Sequence, residues 1–104
     1  MITDKILIEN GYKVFNDTLY HADKLFQKKI RDNNGVIKYF IDIYKYEFNE
    51  KIDYEVRLIT EDEDCSINIL LYATRNRLTI SKIEKKVEKI WAMLGSNYYG
   101  EELD

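Results

Sequence analysis

One histidine, one cysteine and a run of four acids are the groups in this chain with the most chemical potential. His21 stands between Tyr20 and Ala22, and no serine or cysteine sits at a spacing that a nucleophile motif uses. Cys65, the only cysteine, cannot form an intrachain disulfide and cannot alone build a thiolate metal site. As a nucleophile it would need a nearby base, yet the acids at 61–64 beside it disfavour the thiolate. A small core residue at a strand start is the reading that suits it. The acids themselves, EDED, offer the hard oxygens that calcium binds, but lack the glycine and the distant glutamate of a calcium loop. They read as a solvated hairpin tip that keeps a sheet edge soluble. The chain shows no glycine-rich phosphate loop, metalloprotease motif or Cys/His zinc spacing. The expectation is a protein that is not an enzyme, with no catalytic residues, no cofactor, no metal and no small-molecule ligand.

A different kind of site is visible in VIKYFIDIYKYEF, residues 36–48. Successive side chains of a strand point to opposite faces. The odd positions give Ile37, Tyr39, Ile41 and Ile43; the even ones give Phe40, Tyr44, Tyr46 and Phe48, with Lys38 and Asp42 among them. Both faces are therefore apolar, and a single helix shelters only one. Phe40, Tyr44, Tyr46 and Phe48, joined by Tyr72 from a neighbouring strand, are the candidate protein-interaction residues, since such rings are enriched in interface cores. Either another segment of the chain packs on this patch, or it stays open and marks a binding site.

The elements that must position this patch can be read in turn. In TISKIEKKVEKIWAMLG the residues Ile83, Val87, Ile90, Trp91 and Leu94 form one helical stripe, predicting a helix over 82–94. Ser81 followed by Glu84 fits a capping box, and Gly95 suits a helix end. Upstream, Ile52, Tyr54, Val56 and Leu58 alternate with polar residues, as do Cys65, Ile67, Ile69 and Leu71 with their neighbours. A four-residue loop at 61–64 would set Thr60 opposite Cys65, Leu58 opposite Ile67 and Val56 opposite Ile69, placing both apolar sets on one face. An even-length turn around 49–51 adds the odd set of 36–48 to that face and sends the aromatic set to the other. Residues 18–31 fit a helix through Leu19, Ala22, Phe26 and Ile30, and fit a strand hairpin through Asn34-Gly35 less well. KILIENGYKVF reads as a short hairpin around Asn10-Gly11.

These elements predict an α+β domain over 1–95: a short N-terminal hairpin, a helix, a three-stranded antiparallel meander and a C-terminal amphipathic helix. Residues 96–104 form a short acidic tail. Helix, three-strand meander and helix is an order that resembles the double-stranded-RNA-binding domain, and SKIEKK resembles the basic helix start of that family. The resemblance implies an RNA-binding module as one alternative. Departing from it, the last helix has no alanine-rich stripe, and the turn at 61–64 brings acid where phosphate contact is wanted.

Composition limits the partners. Formal net charge is −3, with 45% hydrophobic and 34% charged residues, as in a soluble globular protein. An acidic balance argues against general nucleic-acid binding, which draws its affinity from phosphate attraction. The apolar runs are too short to span a membrane, and no signal-peptide pattern is evident, so the expected location is cytoplasmic. Lys, Ile, Asn and Tyr are abundant and Pro is absent, a bias of AT-rich coding that points to an AT-rich bacterium, its phage or prophage, or a mobile element as the source. The functional expectation is a protein-binding or self-associating domain, possible as a homodimer, that acts through its aromatic sheet face. The alternative is an inhibitor whose acids at Asp53, Glu55, Glu61, Asp62, Glu63 and Asp64 imitate nucleic-acid phosphates.

Overall fold

The computed structural model describes residues 1–16, 19–33, 37–61, 66–74 and 78–99. It opens with helix α1, Asp4–Glu9. Thr3 caps α1, its side-chain oxygen accepting from the Ile6 N–H at 3.1 Å, and Asp4 places a carboxylate in the first turn, where the helix dipole favours it. Gly11, at φ +92, ends the helix: its N–H donates to the Ile8 carbonyl and that of Tyr12 to the Leu7 carbonyl. This nested pair is a left-handed helix stop. The Asn10-Gly11 signal is thus a helix cap, not the expected hairpin turn.

Five strands follow: β1 Lys13–Phe15, β2 Lys24–Asn33, β3 Ile37–Phe48, β4 Lys51–Glu61 and β5 Ser66–Thr74. They form one antiparallel sheet in chain order. Residues 24–33 are therefore a strand and not the expected helix. Lys28 explains the misleading pattern. It pairs with Ile41 on the core-facing side, interrupting the alternation, while its ammonium lies 5.7 Å from the Tyr12 ring centroid and 3.8 Å from a Glu84 carboxylate oxygen. A long lysine can occupy such a position by laying its stem along apolar surface. With five strands between its helices, the chain does not have the element order of the double-stranded-RNA-binding domain.

The β3–β4 turn is Asn49-Glu50, both left-handed at φ 48 and 65, as a two-residue hairpin turn requires. Its even length pairs Ile41 with Leu58 and Ile43 with Val56, so the odd residues of β3 join the core as expected. The β4–β5 hairpin differs. Leu58 pairs with Ile69 and Thr60 with Ile67, two residues out from the expected partners, which preserves the face. A bulge between Val56 and Arg57 then sets Val56 opposite Tyr72 and Tyr54 opposite Thr74. One extra residue flips everything beyond it.

The last helix, α2, spans Ile80–Tyr99. Thr79 caps it, its hydroxyl oxygen accepting from the Lys82 N–H at 3.2 Å, in place of the expected Ser81–Glu84 box. Glu84 turns toward Lys28 instead. Gly95 does not end α2, which continues four residues further; a glycine in a helix interior costs only about 1 kcal/mol. Residues 100–104 of the expected tail, Cys65, and the side chains of Trp91 and Leu94 lie outside the described residues.

Both helices contribute to one core. Leu7 from α1 and Ile83 and Val87 from α2 pack with Phe26, Ile41, Ile43, Val56 and Leu58. Each such side chain contributes about 1.5–3 kcal/mol by leaving water. Charge adds direction to the docking of α1. Lys24 and Lys45 stand directly opposite each other on β2 and β3, and the Asp4 carboxylate receives both ammonium groups, at 2.6 and 2.8 Å. Burial alone would push Asp4 up, but its hydrogen bonds and charge attraction to Lys24 and Lys45 hold it below the ordinary carboxylate value. Burial would likewise push Lys45 down, and Asp4 with Glu47 more than offset it. Among the described residues, no helix is long and apolar enough to cross a membrane.

Candidate interaction face

The side of the sheet away from the helices carries the even residues of β3. Phe40 pairs with Ile59, Asp42 with Arg57, Tyr44 with Glu55 and Tyr46 with Asp53. From β2 come Leu25 and Gln27 in the same rows. Four of the five expected aromatic residues, Phe40, Tyr44, Tyr46 and Phe48, therefore share one face. Tyr72 does not. The bulge turns it to the helix side, where it packs against the core and its hydroxyl donates to the Lys82 carbonyl at 3.4 Å.

The centre of this face is closed by the chain's own loop. Ahead of β2 the segment from Leu19 to Asp23 is held beside β3, where the Asp23 N–H donates to the Lys45 carbonyl and the Glu47 N–H donates to the Asp23 carboxylate. His21 is exposed and left-handed, at φ 58. It serves as a turn residue, which histidine tolerates better than most. Beside it Tyr20 lies on the face. Its ring meets Tyr44 edge-on at 5.1 Å and 86°, and the Arg57 guanidinium carbon is 4.8 Å from its centroid. The Asn68 side-chain amide donates to the Tyr20 hydroxyl at 2.9 Å, and the Tyr46 hydroxyl donates to the Tyr20 carbonyl. Tyr20 thus ties β3, β4 and β5 together from outside.

Beneath this clasp is a polar layer. Asp42 is buried and accepts from the Gln27 amide at 2.9 Å and from the Tyr44 hydroxyl at 3.2 Å. Burial, followed by the adjacent Asp42 carboxylate, pushes the Tyr44 hydroxyl well above the usual tyrosine value. Arg57 bridges to the Glu55 carboxylate and donates to the Asn68 side-chain oxygen at 3.0 Å. Every one of these groups is a partner in a structural network. Among the described residues, no group of three or more His, Cys, Asp or Glu could hold a metal ion.

Outside the clasp the face is open. Phe48 is 76% exposed, and Leu19, next to Tyr20 in the chain, is 84% exposed. Leu70 on β5 and Phe15 on β1 are exposed on the same side. An open groove of about 670 Å³, lined by Tyr46, Asp53, Tyr54, Glu55, Ala73 and Thr74, runs past the end of β5. Leu19, Tyr20, Arg57, Asn68 and Leu70 were not among the expected site residues; Tyr20 was missed because an irregular loop has no periodicity to reveal which of its side chains turns inward, and the strand residues Arg57 and Asn68 matter here through their contacts with it.

Of the six acids of the alternative reading, the three among the described residues do not form one cluster. Asp53 and Glu55 lie toward one end of β4, with Glu55 bridged to Arg57, and Glu61 lies at the other. At ~3.4 Å per residue, Glu55 and Glu61 are separated by roughly 20 Å along the strand. Asp62, Glu63 and Asp64 fall outside the described residues.

No known protein family matches the chain, and neither does any characterised protein or solved structure.

Proposed function

We propose that this chain is a non-enzymatic protein-binding module that makes contact through the sheet face opposite its two helices, at the apolar side chains that border the Tyr20 clasp. One observation carries the reading: both helices pack on one face, and Tyr20 covers only the middle of the other, so that Phe48 and Leu19 stand in solvent. Exposed phenylalanine and leucine side chains are a chemistry that binding sites use for their anchors. The separation of the acids along β4, and the pairing of Glu55 with Arg57, make the phosphate-mimic reading the weaker one.

The test compares three immobilised forms of the chain against lysate of the source cells: wild type, Leu19→Ser/Phe48→Ser, and a control with Lys85→Glu/Lys86→Glu on the exposed side of α2. All four positions are exposed, so each variant should melt within about 0.5 kcal/mol per site of the wild type. The expected result is a protein retained by wild type and control and lost from the double-serine variant. Equal retention by all three, or none by the wild type, would overturn the proposal.

A further inference from the structure

We infer that the outer edge of β5 pairs with β5 of a second copy of this chain, extending the sheet across a two-fold axis. β5 is the terminal strand of the sheet, and none of Asn68–Ala73 is buried, whereas β4 beside it alternates between buried and half-buried. A terminal strand presents a row of backbone N–H and C=O groups that can template another strand. Natural edges are blunted by shortness, by lysine or proline, or by bulges. The opposite edge of this sheet follows that rule: β1 has three residues and one of them is Lys13. β5 does not. Its nine residues, SINILLYAT, contain no charge and no proline. Its bulge lies past the midpoint, at Leu71, so Ser66–Leu70 stays regular.

Self-pairing is the occupant that the charges favour. The chain is acidic at −3, so two copies carry a net repulsion. An antiparallel strand pairing with itself about a two-fold axis sets each residue against another of the same strand. Because β5 is neutral throughout, no register brings like charges together. It is the one long strand of which this holds: β2, β3 and β4 each carry both lysine or arginine and acid. The inference concerns a backbone edge, separate from the Phe48 and Leu19 surface, so either can fail without the other.

Sedimentation velocity on the full chain over a concentration series tests it, alongside amide hydrogen exchange at low and high concentration. The wild type should rise from 12.5 kDa toward twice that mass, with β5 amides gaining protection and β1 amides unchanged. Leu70 is the central residue of β5 and already exposed, so Leu70→Lys brings like charges into the pairing of the two strands, and should weaken the dimer about tenfold while leaving the monomer folded. Leu19→Ser/Phe48→Ser should dimerise as the wild type does. A wild type that remains at 12.5 kDa throughout overturns the inference. So does a dimer that Leu70→Lys leaves intact, or one that the double-serine variant abolishes, which would move the contact to the sheet face.

Discussion

Phe26→Ala is expected to remove about 3–5 kcal/mol of stability, the largest single loss at any position considered. Phe26 is fully buried, pairs with Val14 on β1 and Ile43 on β3, and belongs to the same cluster as Leu7 and Ile83. Truncation to the β-carbon loses the transfer free energy of the ring and leaves a cavity at the point where β2 joins the helix-covered core. A domain of this size holds about 5–15 kcal/mol in total, so the loss is a large fraction of it. The measurement is a denaturant titration: the midpoint should fall sharply while the slope stays unchanged. A loss below about 1 kcal/mol would mean that Phe26 is not enclosed, and that β2 is not the strand described.

Tyr44→Ser is the second large effect, at about 3–4 kcal/mol, and it occurs on the opposite face. Tyr44 is 5% exposed, although it lies on the side without helices. Its enclosure comes from Tyr20, whose edge-on contact contributes about 0.5–1.5 kcal/mol beyond buried area. Tyr44→Phe isolates the hydroxyl. It removes the hydrogen bond to the Asp42 carboxylate and keeps the ring, so the loss should be about 1.5–3 kcal/mol. Tyr44 is thus enclosed as a core residue is, whereas Phe48, which the alternating pattern grouped with it, is exposed. A Tyr44→Ser protein as stable as the wild type would show that the Tyr20 clasp does not hold.

Much of the fold could be read before the structure because certain residues leave only one solution. Ile83, Val87 and Ile90 recur at a period that only a helix satisfies. The alternation of Val56 and Leu58 with acids and Arg57 fixes which face of β4 is buried, and a two-residue turn at Asn49-Glu50 carries that parity into β3. The errors have physical causes of equal clarity. Asn10-Gly11 supplies the same left-handed backbone to a helix stop as to a hairpin. Lys28 occupies a core-facing position with its ammonium over the Tyr12 ring and near Glu84, and a lysine at that place in the alternation made a strand look like an amphipathic helix. The β4–β5 bulge leaves no mark in composition, yet it moves Tyr72 from one side of the sheet to the other. Of the interaction face, the strand contribution was legible and the loop contribution was not. Tyr20 reaches Tyr44, Arg57 and Asn68 through contacts 24, 37 and 48 residues away in sequence, beyond any local pattern.

The functional reading rests on Phe48 and Leu19 standing in solvent while Tyr44, four residues from Phe48 on the same face, does not. Nuclear magnetic resonance with a soluble paramagnetic agent reads this directly, side chain by side chain. Strong broadening of the Phe48 ring and the Leu19 methyl groups, with Tyr44 and Ile43 protected, is the predicted result. A Phe48 ring as protected as Tyr44 in the monomer would contradict it, since the chain itself would then cover the surface through which a partner is proposed to bind.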